Sequence, residues 1–279
     1  MKNRTKYFAY PYVVWIFLFI ALPSFLVLLY SITTKESNGL TTIHFTFENF
    51  KKFFNPMYLN ILWDSIYLAA VSTAICLVLG YPAAFIISNT HISRRSTLLF
   101  LCILPMWMNM LLRTYAWMTI LGNNGILNNF FSFLGLPKVN MLYTRGATVM
   151  GMVYNFLPFM ILPIYTALSK MDKGLLEAAD DLGANKKTVF RKVILPLSMP
   201  GVISGIIMVF MPAVSTFVIS RLLGGGHYML IGNLIEQQFL YVGDWQFGSA
   251  ISIIMMVFIL IAMGVTAKFD KDKEGGGLW

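Results

Sequence analysis

The sequence predicts an all-α membrane protein, a bundle of six transmembrane helices, and three observations carry that expectation. Hydrophobic residues make up 57% of the 279 positions and charged residues only 12%, with a mean hydropathy of +0.70. A soluble domain carries roughly 25% charged residues, so lipid must be the solvent for most of this surface. The apolar residues are gathered into runs that reach the ~20 residues a helix needs to cross a ~30 Å hydrocarbon layer. Lys and Arg are shared unequally between the segments that separate the runs. In lipid each peptide group must find its partner within its own segment, so the runs are helices.

Pro11 to Ser31 is the first run, preceded by the cations Lys2, Arg4 and Lys6. It is long enough to span, and no small-residue cleavage site follows Tyr30, which predicts an uncleaved signal anchor rather than a removable leader. Residues 1–60 are thus expected to form this anchor and a first external loop. Further spans are predicted over Ile61–Asn89, Thr97–Leu121, Gly146–Leu168, Pro200–Leu222 and Gln246–Lys268. Pro82, Pro105, Pro158, Pro163 and Pro212 lie inside these spans, where each removes a backbone donor and permits a kink. Residues 61–268 form the transmembrane domain, and 269–279, with Gly275, Gly276 and Gly277, reads as a flexible, solvated tail. Cys76 and Cys102 sit within apolar runs and read as buried thiols rather than a disulfide framework.

Charge gives the orientation. With the N-terminus inside, the cytoplasmic segments hold fourteen Lys and Arg residues against five outside, while Arg113 and Arg221 lie near outer helix ends. This is the asymmetry of the positive-inside rule, and it places both termini in the cytoplasm. The net charge of +9 is then an orientation signal with an attraction to anionic membrane lipid, and no nucleic-acid partner is needed to explain it.

One cytoplasmic loop is long, 169–199. Asp172 is a good N-cap and Gly183 a good stop for a short helix whose apolar stripe is Leu175, Ala179 and Leu182. Asn185 caps a second short helix, with Val189, Phe190 and Val193 on one face and Lys186, Lys187, Arg191 and Lys192 on the other, and Pro196 is expected to end it. Periodicity alone allows two readings, an amphipathic element packed beneath the bundle or a docking site for a partner.

Glu177-Ala178-Ala179, then Gly183, then Val193-x-Leu195-Pro196 at their spacing resemble the EAA signature of ABC importer permeases, with Val193 in place of the usual Ile. The resemblance implies the six-helix type I importer fold. It implies that 169–199 is a coupling loop, in which Glu177, Ala178, Ala179, Asp180 and Leu182 meet a separate cytoplasmic ATPase and Gly183 makes the turn. Leu79-Gly-Tyr-Pro-Ala-Ala-Phe85, Asn109–Tyr115, Leu230–Asn233 and Gly243–Gly248 extend the likeness to the first permease of spermidine/putrescine importers. The implied assembly has a homologous second permease, two copies of the ATPase that hold ATP and Mg, and an extracellular polyamine-binding protein, in the plasma membrane of a prokaryote. This chain itself is then no enzyme and binds no cofactor.

A polyamine is a flexible polycation suited to carboxylates, carbonyls and aromatic faces. Asp64, Glu236 and Asp244, with Trp107, Asn109, Tyr115 and Phe210, are therefore the candidate pathway residues; Glu36, Glu48, Trp117 and Phe217 are weaker ones. Simpler roles compete: Asp244 as the cap of the last helix, Asp64 as the partner of Arg113, and aromatic residues facing lipid. Arg221 would repel a polycation if it faced the path.

Other functions lack their residues. Gly224-Gly225-Gly226-His227 has neither the Lys nor the hydroxyl of a phosphate-binding loop. His44, His91 and His227 do not have metal-ligand spacing, and no nucleophile stands with a base. A channel would need a ring of filter residues. An ion-coupled secondary transporter would need paired broken helices and has no use for a coupling loop. Within the ABC class, iron, thiamine or a sugar phosphate are the alternative cargoes.

Overall fold

The computed structural model describes residues 10–34 and 44–274. Lys2, Arg4, Lys6 and Lys35, on which part of the orientation reading rests, lie outside the described residues, as do the weaker pathway candidate Glu36 and the tail 275–279. The chain forms two compact units, one containing the residues up to Ile61 with Leu234–Ile261, the other Leu62–Asn233 with the chain from Ala262.

In the first unit, α1 (Tyr10–Ser31) is a 22-residue apolar helix with a π turn over Phe17–Ala21. Most of its side chains are exposed, as a lipid-facing anchor requires, and only Ser31 at its end is buried. Thr33 and Phe45 form an isolated antiparallel bridge beyond it. Asn49, in the short α2 (Glu48–Phe53), donates to the carbonyls of Ser31 and Thr33 at 3.1 and 2.9 Å and holds that turn closed.

The core of the second unit is built from three long helices, α3 (Pro56–Asn89), α7 (Arg145–Ser169) and α9 (Lys186–Ser215). At 1.5 Å per residue α3 is about 51 Å long, well beyond the hydrocarbon layer, so it must tilt or project from it. Its buried face carries a stripe of small residues, Ser65, Ala69, Ser72, Cys76, Gly80 and Ala84, beside the larger Leu68, Thr73 and Ile87. Apolar burial supplies no drive between helices already in lipid, so close packing of small residues has to hold them together. The α7–α9 crossing shows this directly. Gly201 and Gly205 lie one turn apart on α9, and a Cβ on Gly201 would fall 2.6 Å from the Pro163 carbonyl oxygen. At Gly205 it would fall 2.8 Å from Sδ of the fully buried Met160.

The expected third span is not straight. α4 (Ile92–Trp107) and α5–α6 (Met110–Leu121, Ile126–Phe133) pass as a transmembrane pair but bend by 92° at the break. Pro105 tightens the last turn of α4 into a 3-10 turn and Met108 is extended. Asn109 then restarts the helix by accepting from the Leu111 amide at 2.8 Å. The described helices therefore include five long enough to cross a membrane, or six with the bent pair counted as one.

The remaining elements are α8 (Lys173–Asp181), α10 (Val218–Leu223), α11 (231–242) and α12 (Trp245–Glu274). α12 runs on to Glu274, past the boundary at 269 where a flexible tail was expected, because nothing between Phe269 and Glu274 breaks a helix. Cys76 is buried, Cys102 is half-buried, and both are free.

Candidate functional site

The 169–199 segment is built as a capped lever. Asp172 accepts from the Gly174 amide at 2.9 Å and starts α8. At the other end Gly183 takes φ +75°, a left-handed conformation that only glycine adopts without strain. Its amide donates to the Asp180 carbonyl at 2.9 Å and the Ala184 amide to the Ala179 carbonyl at 3.1 Å, the paired bonds of a Schellman cap. Asn185 then accepts from the Thr188 amide at 2.8 Å and opens the next helix.

Two details of this segment differ from the sequence expectation. Pro196 does not end the second helix, which continues as α9 to Ser215. A π turn over Phe190–Ile194 sets Pro196 within the first turn of the following α-helical stretch, where its missing donor costs little. The second short helix is therefore the first turns of a membrane span, and no joint separates it from the bundle. The expected stripe on α8 also splits. Leu176 and Ala179 are half-buried, while Leu175, Ala178 and Leu182 face outward with Leu182 88% exposed. Glu177, Asp180 and Asp181 are exposed beside them. The result is an apolar ridge at i, i+3 and i+7, flanked by carboxylates and not covered by the described residues.

The lever is fastened to the core by Phe190. Its ring stands edge-on to Tyr81 and Phe85 of α3, each at 5.9 Å between centroids. Ser198 donates to the Leu195 carbonyl, so its oxygen is free to accept from the Tyr81 hydroxyl at 2.9 Å. Val189 beside it is buried. Replacing Phe190 with alanine should remove both edge contacts and cost about 2–3 kcal/mol, a lower thermal midpoint in detergent being the measurement. Unchanged melting would show that the clamp contributes nothing.

The candidate pathway residues are more dispersed. Asp64 does not meet Arg113; it pairs with Arg145, at the start of α7, through contacts of 3.2 and 3.4 Å, and the same guanidinium lies 5.0 Å from the Tyr228 ring. Arg113 is buried one turn into α5, where it faces Tyr154 of α7 at 5.9 Å, a ring that also receives the edge of Trp117. The start of α7 thus takes the Asp64 carboxylate, and its third turn takes Arg113. Asp244 has the capping role: it accepts from the Phe247 amide at 3.1 Å and pairs with Lys52 at 3.1 Å, whose ammonium sits 4.1 Å above the Phe247 ring.

Glu236 is half-buried on α11. Trp107 is exposed and edge-on to Phe100, Asn109 is occupied as a cap, Tyr115 is exposed and Phe210 half-buried. Among the described residues, no hydrogen bond or ring contact joins any two of Asp64, Trp107, Asn109, Tyr115 and Phe210. The sequence reading missed Lys52, Arg145, Tyr228 and the Tyr81–Phe190–Ser198 clamp. Of these, the Lys52 and Arg145 charges carried a signal, each being one of the few cations that the sequence reading puts outside, and Phe190 carried one as part of an apolar helix face.

Residues 76–274 match the family model described as binding-protein-dependent transport system inner membrane component. The chain is 42% identical over 259 residues to the spermidine/putrescine transport system permease protein PotB of Haemophilus influenzae, covering 92% of this chain and 91% of that one. It is 40% identical to the protein of the same name from Escherichia coli, over 93% of this chain and 97% of the other. In structure it is similar to a chain of a bacterial ABC transporter involved in the import of the acidic polysaccharide alginate. That match has a TM-score of 0.78, covers 96% of both chains and has 17% identity, a likeness of fold.

Proposed function

The chain belongs to the family of binding-protein-dependent transport system inner membrane components, and on that premise we propose that it is the permease subunit of an ATP-driven polyamine importer. It is a multi-pass inner-membrane protein and a transport subunit without catalysis of its own, working with a binding protein and an ATPase. The observation that carries the cargo is the near-full-length identity to spermidine/putrescine permeases.

The finer picture has this chain as half of the pathway beside a homologous second permease, above two ATPase copies that hold the ATP and Mg, with both termini cytoplasmic. The lysine and arginine asymmetry supports that orientation. The exposed ridge of Leu175, Ala178 and Leu182 between Glu177, Asp180 and Asp181 supports α8 as the coupling helix. Closure of the ATPase pair pushes on that ridge. The push enters α9 through Gly183 and Asn185, because the helix is continuous from Lys186 to Ser215. The Phe190 clamp hands it to α3, and the glycine contacts of α9 hand it to α7. The two access states differ in their affinity for nucleotide-bound ATPase, and that difference supplies the bias.

Uptake of labelled putrescine and spermidine into proteoliposomes holding both permeases and the ATPase, with binding protein added, is the direct test. Uptake that follows iron, thiamine or a sugar phosphate and ignores polyamine would overturn the cargo. Within that assay Asp64→Asn and Asp244→Asn should each retain uptake within roughly twofold, since each carboxylate already has a cation of its own chain and asparagine can still cap. A loss of about tenfold or more in either would place that carboxylate on the cargo. Glu236, Trp107, Tyr115 and Phe210 remain the proposed contacts.

A further inference from the structure

The inner face of α8 closes one side of a cavity of about 130 Å³ whose other walls are the C-terminal turns of α3 and α7 and the start of α4. Ser88, Asn89, Ser169 and Arg95 line it on the polar side, and Leu176 of α8 and Ile194 of α9 are among its apolar residues. Arg95 is the one charged residue in that wall, and no carboxylate lines it. One arm of the guanidinium is used: Nη2 donates to the Ser88 and Thr90 carbonyls and closes the end of α3. The Nε of the same group is buried and has no acceptor among the described residues. A buried, permanently charged donor left without an acceptor is costly, and the half-charge at a helix C-terminus offsets only part of it.

A guanidinium presents a planar fork that fits phosphate oxygens, and hydroxyl and amide groups complete such a site. The apolar half of the wall would be a poor neighbour for a free inorganic ion and a good one for the glycerol and first methylenes of a lipid. We infer that this cavity binds the phosphate of an anionic amphiphile, received from the adjacent membrane leaflet, with the Arg95 guanidinium as donor and Leu176 against the apolar part. Because Leu176 belongs to α8, the bound molecule would pack on the lever itself and hold it against the ends of α3 and α7. Lipid composition would then set how firmly ATPase motion is transmitted. This rests on the coupling reading of α8 and makes no use of the cargo.

The test uses the assembled transporter, purified in mild detergent and examined by native mass spectrometry for retained phospholipid. Wild type should keep an anionic phospholipid, and Arg95→Gln should lower its occupancy about tenfold. Ser169→Trp fills the cavity and leaves the carbonyl contacts of Arg95 in place, so its matching loss separates occupancy from damage to the α3 end. Arg94→Gln, at the neighbouring exposed arginine, should keep the lipid. In nanodiscs of phosphatidylcholine, added phosphatidylglycerol should raise ATPase activity in wild type and in Arg94→Gln but not in the other two variants. If inorganic phosphate produces the same Arg95-dependent stimulation in phosphatidylcholine alone, the phosphate site stands with a soluble source. Equal lipid retention in wild type, Arg95→Gln and Ser169→Trp overturns the inference. A wild-type chain that brings down no ATPase overturns the coupling reading instead, which lipid retention does not depend on.

Discussion

Replacing Gly201 with leucine is expected to abolish correctly assembled protein, the largest structural effect of any single substitution considered. A Cβ at this position meets the Pro163 carbonyl oxygen at 2.6 Å, the Ala167 Cβ at 2.7 Å and the Ile164 Cα at 3.1 Å. Two of these are backbone atoms of α7, which cannot rotate aside as a side chain can. Relief would require α9 and α7 to separate, and that would also lift Gly205 from Met160 and loosen the packing that holds both helices in lipid. Overpacking of a tight core costs about 1–3 kcal/mol where side chains can yield, and the cost here should exceed that range. Gly264→Ala is the matched control, since a Cβ there meets nothing within 4 Å. Expression and monodispersity in detergent check it: Gly201→Leu should be lost or aggregated and Gly264→Ala unchanged. A Gly201→Leu protein that melts with wild type would mean that the α7–α9 crossing does not depend on close approach.

Features that depend on near neighbours in the chain were legible in the sequence. Asp172, Asn185 and Gly183 take the capping geometry that their residue types predict, because caps are satisfied by amides two or three positions away. The long spans were legible too, since twenty apolar residues leave few alternatives to a helix in lipid. What could not be read depends on distance in the chain or on competition between helix signals. Pro196 looked like a stop, and only the π turn upstream lets the helix pass through it. The sequence reading offers Arg113 as the partner of Asp64, and nothing in the sequence says that the start of α7, with Arg145, lies beside α3. The face of α8 that packs inward could not be chosen from a helix with leucines at both 175 and 176. Nor could the bend after Trp107, because Pro105 within a span predicts a kink but not a 92° break.

Gly183→Val should leave membrane insertion and thermal stability nearly intact while lowering ATP-driven uptake by about tenfold or more. The reason is conformational and local. Space is not the obstacle, since a Cβ at Gly183 meets nothing within 4 Å; the backbone is, because φ is +75°. A residue with a side chain loses roughly 1–2 kcal/mol in that region, and a β-branched one more. Valine would relax to negative φ, break the bonds from Gly183 and Ala184 to the Asp180 and Ala179 carbonyls, and swing α8 about its end. Leu182, next to the hinge, and Leu175, about two turns away, would then leave the line along which the ridge meets its partner. An asparagine in the same place tolerates the left-handed region, so Gly183→Asn should restore most of the uptake, with Gly183→Ala between the two. Steric bulk alone cannot produce that order, because alanine is the smallest of the three side chains. The measurement is polyamine uptake and binding-protein-stimulated ATP hydrolysis in the same proteoliposomes. If the valine variant transports at the wild-type rate, the glycine turn is a convenience of folding and the force enters the bundle elsewhere.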